Sequence, residues 1–140
     1  MNAFLVDTNV VSELTKVQPN EQALDWLCEN SNEMGLSSIT VKELYFGAMR
    51  MPDCRRKTSL LTALDNIVDF CSEDIYDFDM RAAIACARLH ALALSLGRTP
   101  SIEDLMIASI AAVNNLAVAT RNIKDFEYLG VPCVNPFGEN

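Results

Sequence analysis

Ala3-Phe-Leu-Val6, followed at once by Asp7-Thr8-Asn9, is the stretch on which the fold turns. An apolar run without polar alternation reads as a strand buried on both faces, and Asp-Thr-Asn is a set of turn formers that ends it. Strands of that kind belong to parallel sheets covered by helices on both sides. In such sheets ligands collect beyond the carboxyl ends of the strands, which is where Asp7 falls.

Working outward, the chain alternates helical and strand patterns. Ala23, Leu24, Trp26 and Leu27 form a helical stripe over 21–28, and Gly35-Leu-Ser-Ser38 reads as a very short second strand before a helix over about 40–50. Leu60, Leu61, Leu64 and Ile67 recur at helical spacing between Cys54 and Phe70. An alanine-rich helix is expected from about Asp79 to Leu96, with Gly97 as its stop. Pro100-Ser101 opens a further helix to about Asn115; Leu116 to Thr120 is a compact strand, and Val131 to Val134 adds a last one. The alternation predicts a single α/β domain over 1–140, a three-layer α/β/α sandwich around a mainly parallel sheet.

Composition narrows the classes. With 140 residues, half of them apolar, the chain is long enough to bury one self-sufficient core, and 21% charged residues spread among apolar ones do not describe a disordered protein. The longest apolar stretches, such as Leu105 to Val113, end well short of the roughly 18 positions a membrane span requires. Met1 to Val6 leads straight into Asp7 without a basic n-region, so no signal peptide is expected and a cytoplasmic location is. Five cysteines without a C-x-x-C pair, and a single histidine, argue against a disulfide framework or a zinc site and for buried reduced thiols. A net charge of -8 opposes a generic nucleic-acid binder, although two divalent ions among four carboxylates would offset half of it.

Four acids stand out, and each has an ordinary local explanation. Asp7 can close a turn or cap the following helix. Glu43 ends Thr40-Val-Lys-Glu43, a capping-box pattern. Asp104 lies in the first turn of an apolar helix, where a carboxylate suits the positive end of the helix dipole. Asp125 precedes Phe-Glu-Tyr-Leu and can cap a short closing helix. Taken together they say more: packed carboxylates repel unless a hard cation, which prefers oxygen ligands, sits among them.

These residues also carry a resemblance. Phe4-Leu-Val-Asp7-Thr8-Asn9-Val-Val-Ser-Glu13-Leu14, Leu36-Ser-Ser-Ile-Thr-Val-Lys-Glu43-Leu-Tyr-Phe-Gly47, Ile102-Glu-Asp104-Leu-Met-Ile-Ala-Ser-Ile-Ala111 and Val118-Ala-Thr120-Arg-Asn122-Ile-Lys-Asp125-Phe126 are similar, in order and spacing, to PIN-domain proteins of the VapC toxin type. The closing Leu129-Gly-Val-Pro-Cys-Val-Asn-Pro-Phe137 resembles the subgroup that includes the Fit-type trafficking toxins. The resemblance implies an endoribonuclease that uses Mg²⁺ or Mn²⁺, with Asp7, Glu43 and Asp104 at the first three acidic positions and Asn9 and Thr120 in support. The fourth acidic position of many relatives is Asn122 here, while others carry an acid where Asp125 stands; an Asn carbonyl can ligate a hard cation but adds no charge. The same resemblance implies a homodimer, and a small antitoxin whose carboxyl-terminal segment enters the acidic groove.

In that reading Asp7 and Asp104 hold the ion and Glu43 positions or deprotonates the attacking water. RNA contacts are expected from Arg50, Arg55, Arg56 and Lys57, with Arg121 and Lys124 near the site, unless the first cluster is only a solvated helix end. His90 lies in the alanine-rich helix and reads as a packing or surface residue, and there is no glycine-rich phosphate loop. Three other readings stay open: a phosphotransfer domain with Asp7 as nucleophile, an interaction module that has lost turnover, suggested by Asn122, and cleavage of DNA.

Overall fold

The computed structural model describes residues 2–138 and contains five strands and six α-helices. The strands are β1 (Phe4–Val6), β2 (Met34–Ser37), β3 (Ile75–Tyr76), β4 (Ala117–Ala119) and β5 (Cys133–Val134). They form one sheet in the order β3-β2-β1-β4-β5, and every pairing is parallel. The helices are α1 (Thr8–Val11), α2 (Glu21–Glu29), α3 (Ser38–Met49), α4 (Arg55–Phe70), α5 (Met80–Ser95) and α6 (Ile102–Val113).

Side-chain alternation along the central strands divides the core in two. Leu5 and Val118 point into one layer with Ala82 and Ala93 of α5 and Leu105, Ala108 and Ile110 of α6. Their neighbours Val6 and Ala119 point into the other, with Val10, Leu27, Leu44 and Leu64 from the first four helices. β1 is thus apolar on both faces because both faces are covered, which is why its sequence shows no polar alternation.

Chain direction places the site. From β1 the chain builds outward through β2 to the edge strand β3, then crosses back to lay β4 against the other side of β1. The reversal makes the gap between β1 and β4 the topological switch point, and crevices form beyond the carboxyl ends of strands at such points. Asp7 and Thr120 are the residues immediately after these two strands.

Two connections follow their sequence signals closely. After α5, the Gly97 N–H donates to the Leu94 carbonyl and the Arg98 N–H to the Ala93 carbonyl, a Schellman closure in which Gly97 takes φ 74°. Ser101 then caps α6, its hydroxyl accepting from the Asp104 N–H at 3.1 Å.

The structure also corrects several readings. α3 begins at Ser38, and its cap is Ser37, which accepts from the Thr40 N–H at 3.0 Å. Thr40-Val-Lys-Glu43 is therefore not a capping box, because Thr40 already lies inside the helix. Asp125 caps nothing; it closes the single 3₁₀ turn Ile123–Asp125. β3 had no counterpart in the sequence reading, being two residues long and only half-buried. Of the five cysteines, all free, Cys71 is buried, Cys86 and Cys133 are half-buried, and Cys28 and Cys54 are exposed, so burial of all five thiols does not hold. Among the described residues no helix is long and apolar enough to cross a membrane.

Gly35 owes its identity to the close approach of β3. A Cβ there would lie 2.5 Å from Tyr76 Cε2 and 2.7 Å from the Asp74 carbonyl oxygen. The ring cannot swing aside freely, because the Asn2 amide donates both to the Tyr76 hydroxyl and to Asp74. Gly35→Ala is expected to cost about 1–3 kcal/mol of stability through overpacking. Equilibrium urea unfolding would measure it, and an unchanged midpoint would contradict this account.

Candidate active site

Asp7 is the hub. The turn after β1 leaves its carboxylate buried at 6% exposure, where desolvation has to be offset by donors. Three supply it: the Thr120 hydroxyl donates to Oδ2 at 2.8 Å, the Thr8 N–H to Oδ1 at 2.8 Å, and the Asn9 amide to Oδ2 at 3.3 Å. The capping role expected for Asp7 is real, but it occupies only one of the two oxygens. Asn9 also ties the β4 end in place, its Oδ1 accepting from the Arg121 N–H at 3.2 Å.

Glu43 reaches the same place from α3. Its Oε1 accepts the Thr8 hydroxyl at 2.8 Å, while Ser37 and Thr40 form a hydroxyl pair beneath it at 3.2 Å, and Thr8 and Thr40 stand 3.3 Å apart. Half-buried Thr8 and buried Ser37 and Thr40 form a hydroxyl relay that sequence reasoning missed as part of the site. The signal was present: Ser37-Ser38 directly follows a strand, the place for a cap, and an i+3 threonine then faces inward.

Asp104 enters from the first turn of α6 and Asp125 from the turn after β4. Burial raises the Asp104 carboxyl to about 6, and the charges of Asp7, Asp125 and Glu43 add to that, against a lowering hydrogen bond from Ser101. Burial also raises the Asp7 carboxyl, with Glu43 and Asp125 pushing the same way against the Thr120 and Thr8 hydrogen bonds. The four acids singled out from the sequence therefore share one electrostatic field, although they come from positions as far apart as 7 and 125. Asn122 does not join them in the same manner: its side chain is exposed, and it is its backbone N–H that donates to Thr120 Oγ1, at 3.0 Å.

The donor set is all oxygen and carries up to four negative charges, which fits a hard divalent cation. Among the described residues no three His, Cys, Asp or Glu side chains close around one point as a ready cage. That spread suits Mg²⁺ or Mn²⁺ held by one or two carboxylates with water completing the shell better than a fully proteinaceous site. His90, half-buried on α5, takes no part.

The basic residues fall into the two groups that the sequence distinguished. Arg50 lies over the Phe46 ring at 5.8 Å and Lys57 pairs with Asp53 at 3.0 Å, so this cluster is at least partly engaged at the ends of α3 and α4. Arg121 stacks on Phe137 at 4.6 Å beside the site, and Lys124 is exposed. Glu13, buried and outside the acidic cluster, is held by Lys16 and by the Asn20 N–H.

The Thr120 hydroxyl carries a load that valine could not. Thr120→Val keeps the shape and deletes the shortest side-chain donor to a buried carboxylate, a loss expected to cost about 1–3 kcal/mol. Thermal melts of the metal-free protein would register it, and an unaltered Tm would show that Thr120 does not support Asp7.

The PIN domain family profile matches residues 4–131, a span that includes all four acids. The chain is a PIN domain. VapC ribonuclease Y4jK of Sinorhizobium fredii is 35% identical over 136 residues, covering 96% of this chain and 97% of its own. Toxin FitB of Neisseria gonorrhoeae is 34% identical over 136 residues, covering 96% and 98%. The crystal structure of FitAcB from Neisseria gonorrhoeae superposes with a TM-score of 0.91 at 33% identity, over 97% of this chain and 99% of that one. The parallel sheet and three layers read from the sequence are those of this family, whose profile takes in β1 to β4.

Proposed function

We propose that this PIN domain is a metal-dependent endoribonuclease, the toxin of a toxin–antitoxin pair, acting through Asp7, Glu43, Asp104 and Asp125. The observation that carries the reading is the buried Asp7 carboxylate at the switch point, in one field with three further acids, one of them raised to about 6. Such a cluster is costly for a metal-free protein and becomes favourable when a cation enters. The names of the relatives, a ribonuclease and a toxin, agree with it.

Asp7 and Asp104 would hold Mg²⁺ or Mn²⁺. When bound, such an ion lowers the pKa of a coordinated water and polarises a phosphoryl oxygen. The side chains do the rest. Thr120, Thr8 and Asn9 fix the Asp7 carboxylate, so that it meets a ligand without reorganising. Glu43, with Oε1 committed to Thr8, has Oε2 to orient the attacking water or take its proton. Asp125 is better placed than Asn122 to complete the acidic set, since it is Asp125 whose charge acts on both Asp7 and Asp104. Thr120→Val, acting through Asp7, should lower cleavage about 10- to 100-fold.

The partner is a small antitoxin that inserts a basic side chain among the acids. A net charge of -8 and an acidic groove support that assignment. Exposed Phe46 and Met49 on α3, and Met80 and Ile84 on α5, provide apolar surface for a homodimer. The location is cytoplasmic, where RNA and antitoxin are both met.

The test is cleavage of total RNA by wild type and Asp104→Asn, each with Mn²⁺ and with EDTA, followed by mapping of the cut ends. Cleavage confined to wild type with metal is expected. Equal cleavage in EDTA would sink the metal role, and no RNA cleavage under any condition would favour the interaction module. Matched DNA oligonucleotides separate a ribonuclease from a general nuclease.

A further inference from the structure

Beside the acids lies a small pocket lined by Arg98, Thr99, Pro100, Asp104, Asp125 and Tyr128, with a volume of about 220 Å³. That is below the roughly 300 Å³ at which pockets for a whole small molecule begin, and it suits a fragment such as a phosphodiester. The Arg98 guanidinium lies over the Tyr128 ring, 4.1 Å from its centroid. Among the described residues Arg98 makes no ion pair, although Asp104 and Asp125 line the same pocket. Its side chain is exposed and its donors are not engaged by a protein acceptor among the described residues.

We propose that Arg98, held flat on Tyr128 at the mouth of this pocket, is a substrate-positioning residue that grips an RNA phosphate next to the one being cut. The inference rests on the ribonuclease reading and extends it to how the strand is held. A cluster of carboxylates repels a phosphodiester backbone, so a strand laid across it needs a cation that the acids do not neutralise. Guanidinium suits the task, because its planar fork meets phosphate oxygens through two parallel N–H donors. Stacking on an aromatic face fixes the plane of the fork before the strand arrives, which reduces the ordering cost of binding.

The backbone explains the placement. The Schellman closure at Gly97 ends α5 and leaves Arg98 against Tyr128, and Pro100 and Ser101 start α6 soon enough that Asp104 lines the same pocket. Tyr128 is delivered by the 3₁₀ turn Glu127–Leu129, whose Leu129 is buried in the core. Each wall of the pocket is thus anchored to a packed element.

The experiment is steady-state cleavage of a fluorescein-labelled single-stranded RNA of mixed sequence with Mn²⁺, over a range of salt concentrations, by wild type, Arg98→Ala, Arg98→Lys, Tyr128→Phe and Tyr128→Leu. Arg98→Ala is expected to lower kcat/KM about tenfold, mostly through KM, and to reduce the salt slope of log(kcat/KM) by about 0.7, the value for one lost single-strand phosphate contact. Arg98→Lys should keep the salt slope while losing part of the affinity, and Tyr128→Phe, which keeps an aromatic face under Arg98, should raise KM less than Tyr128→Leu, which should fall between wild type and Arg98→Ala. Calorimetric titration with Mn²⁺ should find metal affinity not weakened in Arg98→Ala. Wild-type KM and salt slope in Arg98→Ala would overturn this inference while leaving the ribonuclease reading standing. A parallel loss of Mn²⁺ binding would overturn it too, by making Arg98 part of the metal site. A wild-type protein that cuts no RNA would remove both.

Discussion

Asp7→Asn is expected to reduce RNA cleavage on the order of 10³-fold or more, beyond the 10- to 100-fold that loss of an outer-sphere partner typically costs. The substitution is nearly isosteric, and the amide retains one oxygen to accept from Thr120 or from the Thr8 N–H. What it removes is the charge, and with it the electrostatic reason for a cation to enter. Because burial already pushes the Asp7 carboxyl upward, a neutral group at this position relieves a penalty, and the fold should survive. Single-turnover cleavage with Mn²⁺, paired with circular dichroism melts, separates the two effects. A well-folded variant that keeps a tenth or more of wild-type activity would remove Asp7 from the centre of the mechanism.

Asp104→Asn is expected to stabilise the metal-free protein while abolishing cleavage. The carboxyl sits at about 6 in the folded protein against an ordinary value of 3.8. Between these values the folded chain holds more protons than the unfolded one, so stability falls as pH rises through the window and stays reduced above it. The full displacement would be worth about 3 kcal/mol, and partial solvent access to Asp104 brings the expectation to about 1–2 kcal/mol at neutral pH. Denaturation in EDTA should show wild type losing stability from about pH 4 to about pH 6, with a smaller loss in Asp104→Asn. Cleavage by wild type at subsaturating Mn²⁺ should decline as pH drops below about 6, since the ligand must be deprotonated to hold the ion. A variant less stable than wild type at neutral pH would mean that Asp104 is a structural acid with favourable partners. Stability and activity pull in opposite directions at this position, a common property of sites assembled for function.

The residues that disclosed most in the sequence were those whose local pattern and global role agree. The apolar run from Ala3 to Val6 announces β1, which forms over Phe4–Val6 with Leu5 and Val6 fully buried, and Gly97 and Ser101 mark helix ends through backbone geometry that few other residues satisfy as well. The acids were legible as candidates, and their meeting was not, because nothing local in 7, 43, 104 and 125 encodes a shared crevice; strand order does. Thr40 shows the opposite failure. Thr-x-x-Glu matches a capping box in spacing, yet the true cap lies three residues earlier, and Glu43 spends its oxygen on Thr8 from another element. β3 was hidden because two residues carry no periodicity, and its evidence lies in Gly35 of the neighbouring strand. Arg98 and Tyr128 looked unrelated in sequence, since the contact between them exists only once two connections have folded against each other.

The central strand has a temporal implication for the proposed ribonuclease. The threonine that steadies its terminal carboxylate is translated 113 positions after it, and its hydrogen-bonded neighbour β4 comes just before that threonine. A nascent or prematurely terminated product carries the first acid without the scaffold that makes it useful, and non-local pairings of this kind form slowly. Synthesis itself therefore delays assembly of the site, leaving an interval in which the proposed antitoxin can meet the chain before the proposed cleavage begins.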